Sequence, residues 1–497
     1  MKDVAILKLA ALLSALPFYE PQAEHEQVNI NGLTIDSRNV KSGNLFICIN
    51  GALVDGHRFA GQAEKQGAAA ILAERPLDVN VPVILVKDTL RASAALAAHF
   101  YGHPSKEMRV VGITGTNGKT SMTYLLESIF RANAEATGVI GTIQMKIKEQ
   151  AYPVKNTTPD ALFLQKGFRQ MVEEGVDTAV IEVSSHALDM GRVHGTDFDV
   201  AVFTNLSQDH LDYHNSFEDY FHAKSLLFSQ LGNTFDPNKP KFAVINTDDR
   251  YADALIKSTA QPVCSYGIEK QADIMATNIE LAANGTSFRL HTPKGEATIH
   301  SKLMGKFNVY NMLAAVGTAL CSGVPFETIC SALHETTGVA GRFEPVAAGQ
   351  HFGVIVDYAH TPDSLENVLT TIKSFVKGKI ITVVGCGGDR DKTKRPLMAG
   401  TAVQYSDTAI FTADNPRTED PHAIIEDMIA ELDEEAYVVV PERAEAIKRA
   451  VELAEANDIV LIAGKGHETY QIVGDQVLDF DDRLVAAEAI KRAGVGE

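Results

Sequence analysis

Hydrophobic and polar positions recur with two periods along the chain, and the places where one period yields to the other mark its elements. Short apolar runs are the pattern of strands buried on both faces. They stand at residues 33–38, 44–49 and 68–73, then at 110–113, 178–183, 200–204 and 242–246. A last set lies at 354–357, 380–384, 408–412, 437–440 and 459–463. Helical spacing separates them, at residues 59–67 and 92–101, at Tyr124, Leu125 and Ile129, and at residues 214–228. Strands alternating with helices predict mostly parallel sheets. Asn284-Gly285 and Pro293-Lys-Gly295 predict hairpin turns between polar-alternating strands, so an antiparallel add-on to the central sheet is expected. With Gly102-His-Pro-Ser105 as a linker, the reading is an α/β chain of three domains: 1–104, 105–335 and 336–497. The last is doubly wound and Rossmann-like.

Composition adds bounds. The chain has 497 residues, 45% of them hydrophobic, enough for several packed cores. The apolar stretch from Leu9 to Leu16 resembles part of a signal peptide, but Ile6, Leu9, Leu13 and Leu16 share one helical face. The stretch is also too short to span a membrane. An amphipathic first helix is expected, with no targeting segment and no membrane insertion. Net charge is −19, from 64 acidic and 45 basic residues. Without a long basic run, no nucleic-acid partner is expected. Anionic small molecules stay open, since they need only local Arg and Lys. Five cysteines, at 48, 264, 321, 330 and 386, show no metal-like spacing. Their odd number argues against a disulfide framework and fits a reduced cytoplasm.

Candidate chemistry is densest where the run 110–113 enters Thr114-Gly-Thr-Asn-Gly-Lys-Thr-Ser121 and a helical pattern follows. Strand, glycine turn and helix N-terminus aim backbone N–H groups at phosphates, Lys119 neutralises them, and the Thr120 hydroxyl reaches Mg²⁺. This makes the central unit a P-loop ATPase-type domain, with Gly115, Thr116, Asn117, Gly118, Lys119, Thr120 and Ser121 on ATP. The strict phosphate-loop spacing is not met, because Ile113 stands where its first glycine belongs. Glycines at 112, 115 and 118 give a variant turn instead.

Three more stretches place polar residues at strand ends or helix starts, where α/β folds keep ligands. These are Ile181-Glu-Val-Ser-Ser-His186, Asn205-Leu-Ser-Gln-Asp-His210 and Thr157-Thr158-Pro159-Asp160. Glu182 is a suitable oxygen ligand for Mg²⁺; a His is a less usual one, so His210 alone reads as a cap or core residue. Residues 157–160 read nearly as well as an N-cap for a helix at Ala161. Lys224, on the amphipathic run 214–228, reads from periodicity as a solvated or snorkelling lysine. Gly385-Cys-Gly387-Gly388-Asp-Arg390 misplaces the third glycine of a dinucleotide fingerprint, so no second nucleotide site is expected there.

Thr114 to Thr120, Glu182 to His186, Asn205 to His214 and Ala223-Lys224 together resemble the Mur ligases, ATP-dependent amino-acid adders of peptidoglycan precursor synthesis. Gly305-Lys-Phe-Asn-Val-Tyr-Asn311, Gly341-Arg-Phe-Glu344, Asp357-Tyr-Ala-His-Thr-Pro-Asp363, Asp414-Asn-Pro-Arg417 and Gly464-Lys-Gly-His-Glu468 continue the resemblance in order. It implies an acyl-phosphate mechanism with Mg²⁺, catalytic roles for Lys119, Lys224 and His210, and Lys224 carbamylated by CO₂. The metal set would be Thr120, Glu182, His210 and Lys224. Asn308, Arg342 and Asp357 would join the loop on ATP. Ser37 would touch the nucleotide of a UDP-sugar peptide, and Asn156, Thr157, Thr158, Ser184 and Arg192 its muramoyl-dipeptide. Arg390, Asp414, Asn415, Pro416, Arg417, Gly464 and Glu468 would form the amino-acid pocket. The form D-N-P-R implies meso-diaminopimelate; L-lysine, or the folylpolyglutamate synthetase reaction, is the alternative. The resemblance further implies a cytoplasmic monomer serving three small molecules: ATP, UDP-N-acetylmuramoyl-dipeptide and the amino acid.

Overall fold

The structure is a computed structural model describing residues 6–17, 19, 23–51, 54–207, 209, 213–282, 285–433 and 436–493. Three sheets organise it. The first holds four parallel strands in sequence order, Gly32–Thr34, Asn44–Ile47, Ala70–Ala73 and Val83–Leu85. Both faces are covered: Leu45 and Ile47 enter one core, Phe46 and Cys48 the other. The N-terminal helix is shorter than expected, Leu9–Leu13. Leu9, Leu12, Leu13 and Leu16 are buried against helix Thr89–Phe100, while Ile6 is 66% exposed and lies off that face. The strand expected at 33–38 stops at Thr34. Asp36 accepts the Arg38 N–H and its guanidinium, drawing residues 37–39 into a capped 3₁₀ turn.

The central sheet has eleven strands. Seven run parallel in the spatial order Thr137–Ile140, Thr178–Glu182, Arg109–Thr114, Val200–Phe203, Phe242–Asn246, Val263–Gly267 and Ile274–Ala282. The phosphate-loop strand is therefore interior. Val110 faces one core while Val111 and Ile113 face the other, where Met122, Leu125, Leu126 and Ile129 of helix Lys119–Ala132 meet helix Lys306–Cys321. Gly285–Thr292 and Gly295–Ser301 add antiparallel strands, as the turn residues predict. Asn284 of the first expected turn lies outside the described residues. The hairpin Met145–Ile147/Gln150–Tyr152 on the opposite edge is unexpected; its two three-residue strands are too short to show a period.

The third sheet orders Glu344–Pro345, Gly353–Asp357, Ile459–Ala463, Ile380–Val384, Thr408–Phe411 and Tyr437–Val439, parallel except for the first. It is doubly wound. Ile380 and Val384 pack with helices Pro362–Lys373 and Lys394–Tyr405; Ile381 and Val383 pack with Arg443–Leu453 and Asp482–Arg492. A hairpin, Tyr470–Val473/Gln476–Asp479, projects after the last central strand and is also unexpected. No helix among the described residues is long and apolar enough to cross a membrane.

Candidate active site

After Thr114 the chain turns through two glycines in left-handed conformations, Gly115 at φ 146° and Gly118 at φ 88°. A Cβ on Gly115 would lie 1.9 Å from Thr204 Oγ1, and one on Gly118 2.4 Å from Asn311 Oδ1, so only glycine fits this packing. The loop is fastened to the end of the neighbouring strand. Thr116 N–H donates to Asn205 O, and Asn117 N–H to Asn205 Oδ1, each at 2.9 Å. Lys119 folds back over the loop and donates to Gly115 O and Thr116 O at 2.9 and 2.8 Å. Burial pulls its pKa down, against Glu182 and Asp209, which favour the charge.

Thr120 Oγ1 donates to Glu182 Oε2 at 3.0 Å. Glu182 ends an interior strand and is 1% exposed. It also accepts the Thr142 N–H and hydroxyl, at 3.0 and 2.9 Å. Thr142 was not singled out in the sequence, although it too follows a buried strand, Thr137–Ile140, and the same strand-end logic would have found it. Its hydroxyl lies 3.1 Å from that of Thr157. Thr158 Oγ1 donates to Glu182 O and accepts the Ser184 N–H, while Arg192 Nη1 donates to Thr158 O. Only Asp160 caps helix Ala161–Glu173, through Phe163 N–H, so the capping reading holds for it and not for the two threonines.

The periodicity reading of Lys224 is overturned. Ser216 caps helix Phe217–Ser229 so that Lys224 points inward, 1% exposed. Its Nζ donates to Gly115 O at 2.8 Å and sits 4.5 Å from the Tyr220 ring centre. Burial, then the charge of Lys119, depresses its pKa well below the usual lysine value, with Asp209 opposing. His210 lies outside the described residues.

The third domain closes over this floor. Arg342 Nη2 donates to Thr120 Oγ1 at 3.3 Å, its guanidinium lies 4.6 Å from the Tyr358 ring, and its Nε is buried with no partner. Asp357 accepts the Phe343 N–H, and burial raises its pKa to about 6. Asp363 Oδ2 accepts from Asn117 Nδ2 and Ser207 Oγ, at 2.9 and 2.8 Å, across the domain boundary. Deeper in the third domain, Lys465, fully buried, donates to Asn415 Oδ1 and Glu468 Oε2 at 3.1 and 3.0 Å, and Asn415 Nδ2 also reaches Glu468. Arg417 is left-handed at φ 53°, held there by pairing with the unexpected hairpin through Ile472 O and Gly474 N–H. Its half-buried guanidinium donates to Gly388 O at 2.8 Å. Gly464, at φ 113°, leaves room for Asp414, whose Oδ2 would sit 2.7 Å from a Cβ. The Arg390 guanidinium donates to Asp389 O.

One cleft of about 1900 Å³ gathers these groups. Of the expected site residues within the described chain, all line it except Ser37, Gly115, Asn308 and Pro416. Gly115 and Pro416 lie just behind its wall in sequence, beside lining residues. Asn308 faces an adjoining cavity of about 370 Å³ that shares Ser121 and Arg342 with the cleft. Ser37 is buried in its 3₁₀ turn of the first domain, and the structure does not bring it to the cleft. Lys465 and Asp363 both stand inside the motifs that carry the resemblance, but neither shows its partners there; those of Asp363 are 246 and 156 residues away.

Comparison with known proteins finds three family models along the chain. Residues 29–101 match the Mur ligase family catalytic domain, 113–319 the Mur ligase middle domain, and 341–466 the Mur ligase glutamate ligase domain. The UDP-N-acetylmuramoyl-L-alanyl-D-glutamate–2,6-diaminopimelate ligase of Bacillus cereus is 56% identical over 97% of this chain and 98% of its own. The ligase of the same name from Oceanobacillus iheyensis is 56% identical over 98% of this chain and all of its own. A solved structure of a protein with that name superposes with a TM-score of 0.71 at 34% identity, covering 97% of this chain and 99% of the other. With the glycine loop, the buried Lys224 and the Asn415–Glu468 pocket sharing one cleft, the chain belongs to the Mur ligase family.

Proposed function

We propose that this chain is an ATP-dependent ligase joining meso-diaminopimelate to UDP-N-acetylmuramoyl-L-alanyl-D-glutamate in peptidoglycan precursor synthesis. The observation that carries the reading is the single cleft, which runs from the phosphate loop past Glu182 and Lys224 to Arg417 and Glu468. The family resemblance and the activity named for its relatives point the same way. Folylpolyglutamate synthesis leaves the first domain, a four-stranded unit, without a task.

A carboxylate does not condense with an amine at neutral pH, so phosphoryl transfer from ATP first activates it as an acyl phosphate. Lys119 and Arg342 offset repulsion between two anions, and the buried, unpartnered Nε of Arg342 fits an anionic guest. Thr120 and Glu182, hard oxygen donors at the loop, would hold Mg²⁺, which supplies further charge neutralisation when bound. Carbamylation needs a neutral amine, and burial shifts Lys224 toward that form; the carbamate would present carboxylate-like oxygen beside the loop. Asn308, Ser121 and Arg342 would line the nucleoside's cavity, and Asp357 would contact ATP. Thr157, Thr158, Ser184 and Arg192, linked around Glu182, would orient the dipeptide carboxylate. Glu468, oriented by Asn415 and Lys465, would accept the substrate's ammonium, and Arg417 would grip its far carboxylate. Lysine lacks that carboxylate and would set an ammonium against Arg417. All the proposed roles come from one chain, which supports a monomeric working unit, and nucleotide substrates would suit a cytoplasmic enzyme.

The test is phosphate release from ATP. It should require both the UDP-muramoyl-dipeptide and meso-diaminopimelate, and L-lysine should not replace the latter. Arg417→Ala should cost about 2 kcal/mol in diaminopimelate kcat/KM, the low end for a buried charge pair because Arg417 is half-buried, without a parallel fall for lysine. Equal use of lysine by the unmutated enzyme overturns the specificity, and release that ignores the dipeptide overturns the ligase reading.

A further inference from the structure

Behind the amino-acid pocket lies an ion pair that does not line the cleft. Arg443 and Asp482, the first residues of helices Arg443–Leu453 and Asp482–Arg492, have fully buried side chains. Arg443 Nε and Nη2 donate to the two Asp482 oxygens at 2.8 and 2.7 Å, a bidentate fork. Two further donors go to main chain: Nη2 to Ala463 O at 2.9 Å and Nη1 to Ala413 O at 3.3 Å.

Those two carbonyls are informative. Ala463 ends strand Ile459–Ala463 and precedes Gly464; Ala413 follows strand Thr408–Phe411 and precedes Asp414. The two strands are not neighbours, because Ile380–Val384 runs between them. Sheet hydrogen bonds therefore do not join these ends directly, and the guanidinium does. A lysine is a single point charge, whereas the planar guanidinium has donors spread widely enough to hold both carbonyls at a set separation. Stability alone gives no reason for the choice, since an apolar pair of similar volume would avoid desolvating two charges. Burial works against the Arg443 charge, yet Asp482, and more weakly Asp414 and Glu468, hold its pKa above the usual value. The same cation thus faces the two acids of the pocket.

The geometry points to Arg443 and Asp482 as a positioning pair that sets the spacing between the Asp414–Arg417 and Gly464–Glu468 loops, and with it affinity for the incoming amino acid. Neither residue touches substrate. This rests on the reading that the pocket takes the amino acid, and it adds how the pocket's two halves are kept in register.

Three variants test it: Arg443→Lys, Asp482→Asn, and the paired Arg443→Met/Asp482→Leu, which replaces both charges by apolar volume so that the fold survives if a single change does not. In the phosphate-release assay, folded variants should raise KM for diaminopimelate on the order of 10- to 100-fold, the scale of a small misplacement of a binding group, with KM for ATP unchanged. A lower melting temperature with wild-type KM values, or an equal rise in KM for ATP, overturns the proposal. Hydrogen exchange reads the same point without substrate. Residues 414–417 and 464–468 should exchange faster in the paired variant while residues 115–120 keep their protection; equal protection throughout overturns it. If the unmutated enzyme fails to use diaminopimelate, the ligase reading falls, and the exchange comparison still decides the clamp.

Discussion

Lys224 has its Nζ 2.8 Å from Gly115 O and almost no contact with solvent. A charged amine there is disfavoured by burial and by Lys119. Removing it takes away little stabilising charge but all of the proposed carbamate. Lys224→Ala should therefore stay folded and lose about 100-fold or more in turnover, and added small carboxylates should restore part of it. Wild-type turnover would return Lys224 to a packing role. Asp357 makes a prediction of opposite sign. Burial raises its pKa to about 6 from 3.8, so the folded state holds a proton that the unfolded state has released. Stability from this group is present at low pH and is lost as pH rises through about 6. Measured against Asp357→Asn by denaturant titration, the wild type should gain stability as pH falls from about 6 to about 4, by about 3 kcal/mol. A pH-independent difference between the two would remove the buried carboxyl from the account.

At the level of elements, the phosphate loop depends on glycines that the local sequence shows and on contacts that it hides. Gly118→Ala would force an L-residue to φ 88° and set a methyl 2.4 Å from Asn311 Oδ1. The expected loss is about 1–3 kcal/mol on thermal melting, with weakened ATP binding. Asn311→Ala in the same chain should relieve the contact but not the backbone strain, so recovery should be partial. The elements that periodicity reveals are those buried on both faces, such as Phe242–Asn246, Ile380–Val384 and Ile459–Ala463, whose expected and observed bounds coincide. It fails at 33–38, where the Asp36 side chain captures the backbone, and at the two hairpins, whose strands of three or four residues are too short to impose a pattern. Glu182 and Arg417 were legible because they stand at strand ends or in motifs. The inward turn of Lys224 was not, because it depends on what covers the far face of its helix.

Across the whole molecule, the walls of the cleft meet at Asp363, whose carboxylate takes hydrogen bonds from Asn117 of the phosphate loop and from Ser207. This acceptor comes from the chain itself and is always present, at the high effective concentration that a tether confers. It would then act as a resident competitor: an anion entering beside Asn117 would have to displace it or endure its charge. The observed nucleotide affinity is then the intrinsic affinity reduced by the fraction of time the carboxylate stays docked. Asp363→Ala should accordingly bind ATP more tightly by calorimetry, while the nucleotide-free protein shows a larger radius of gyration in solution scattering. Weaker ATP binding in that variant would make Asp363 a partner of the nucleotide instead of its rival. On the tighter-binding outcome the enzyme would rest with its walls joined, and nucleotide would enter by replacing an internal ligand.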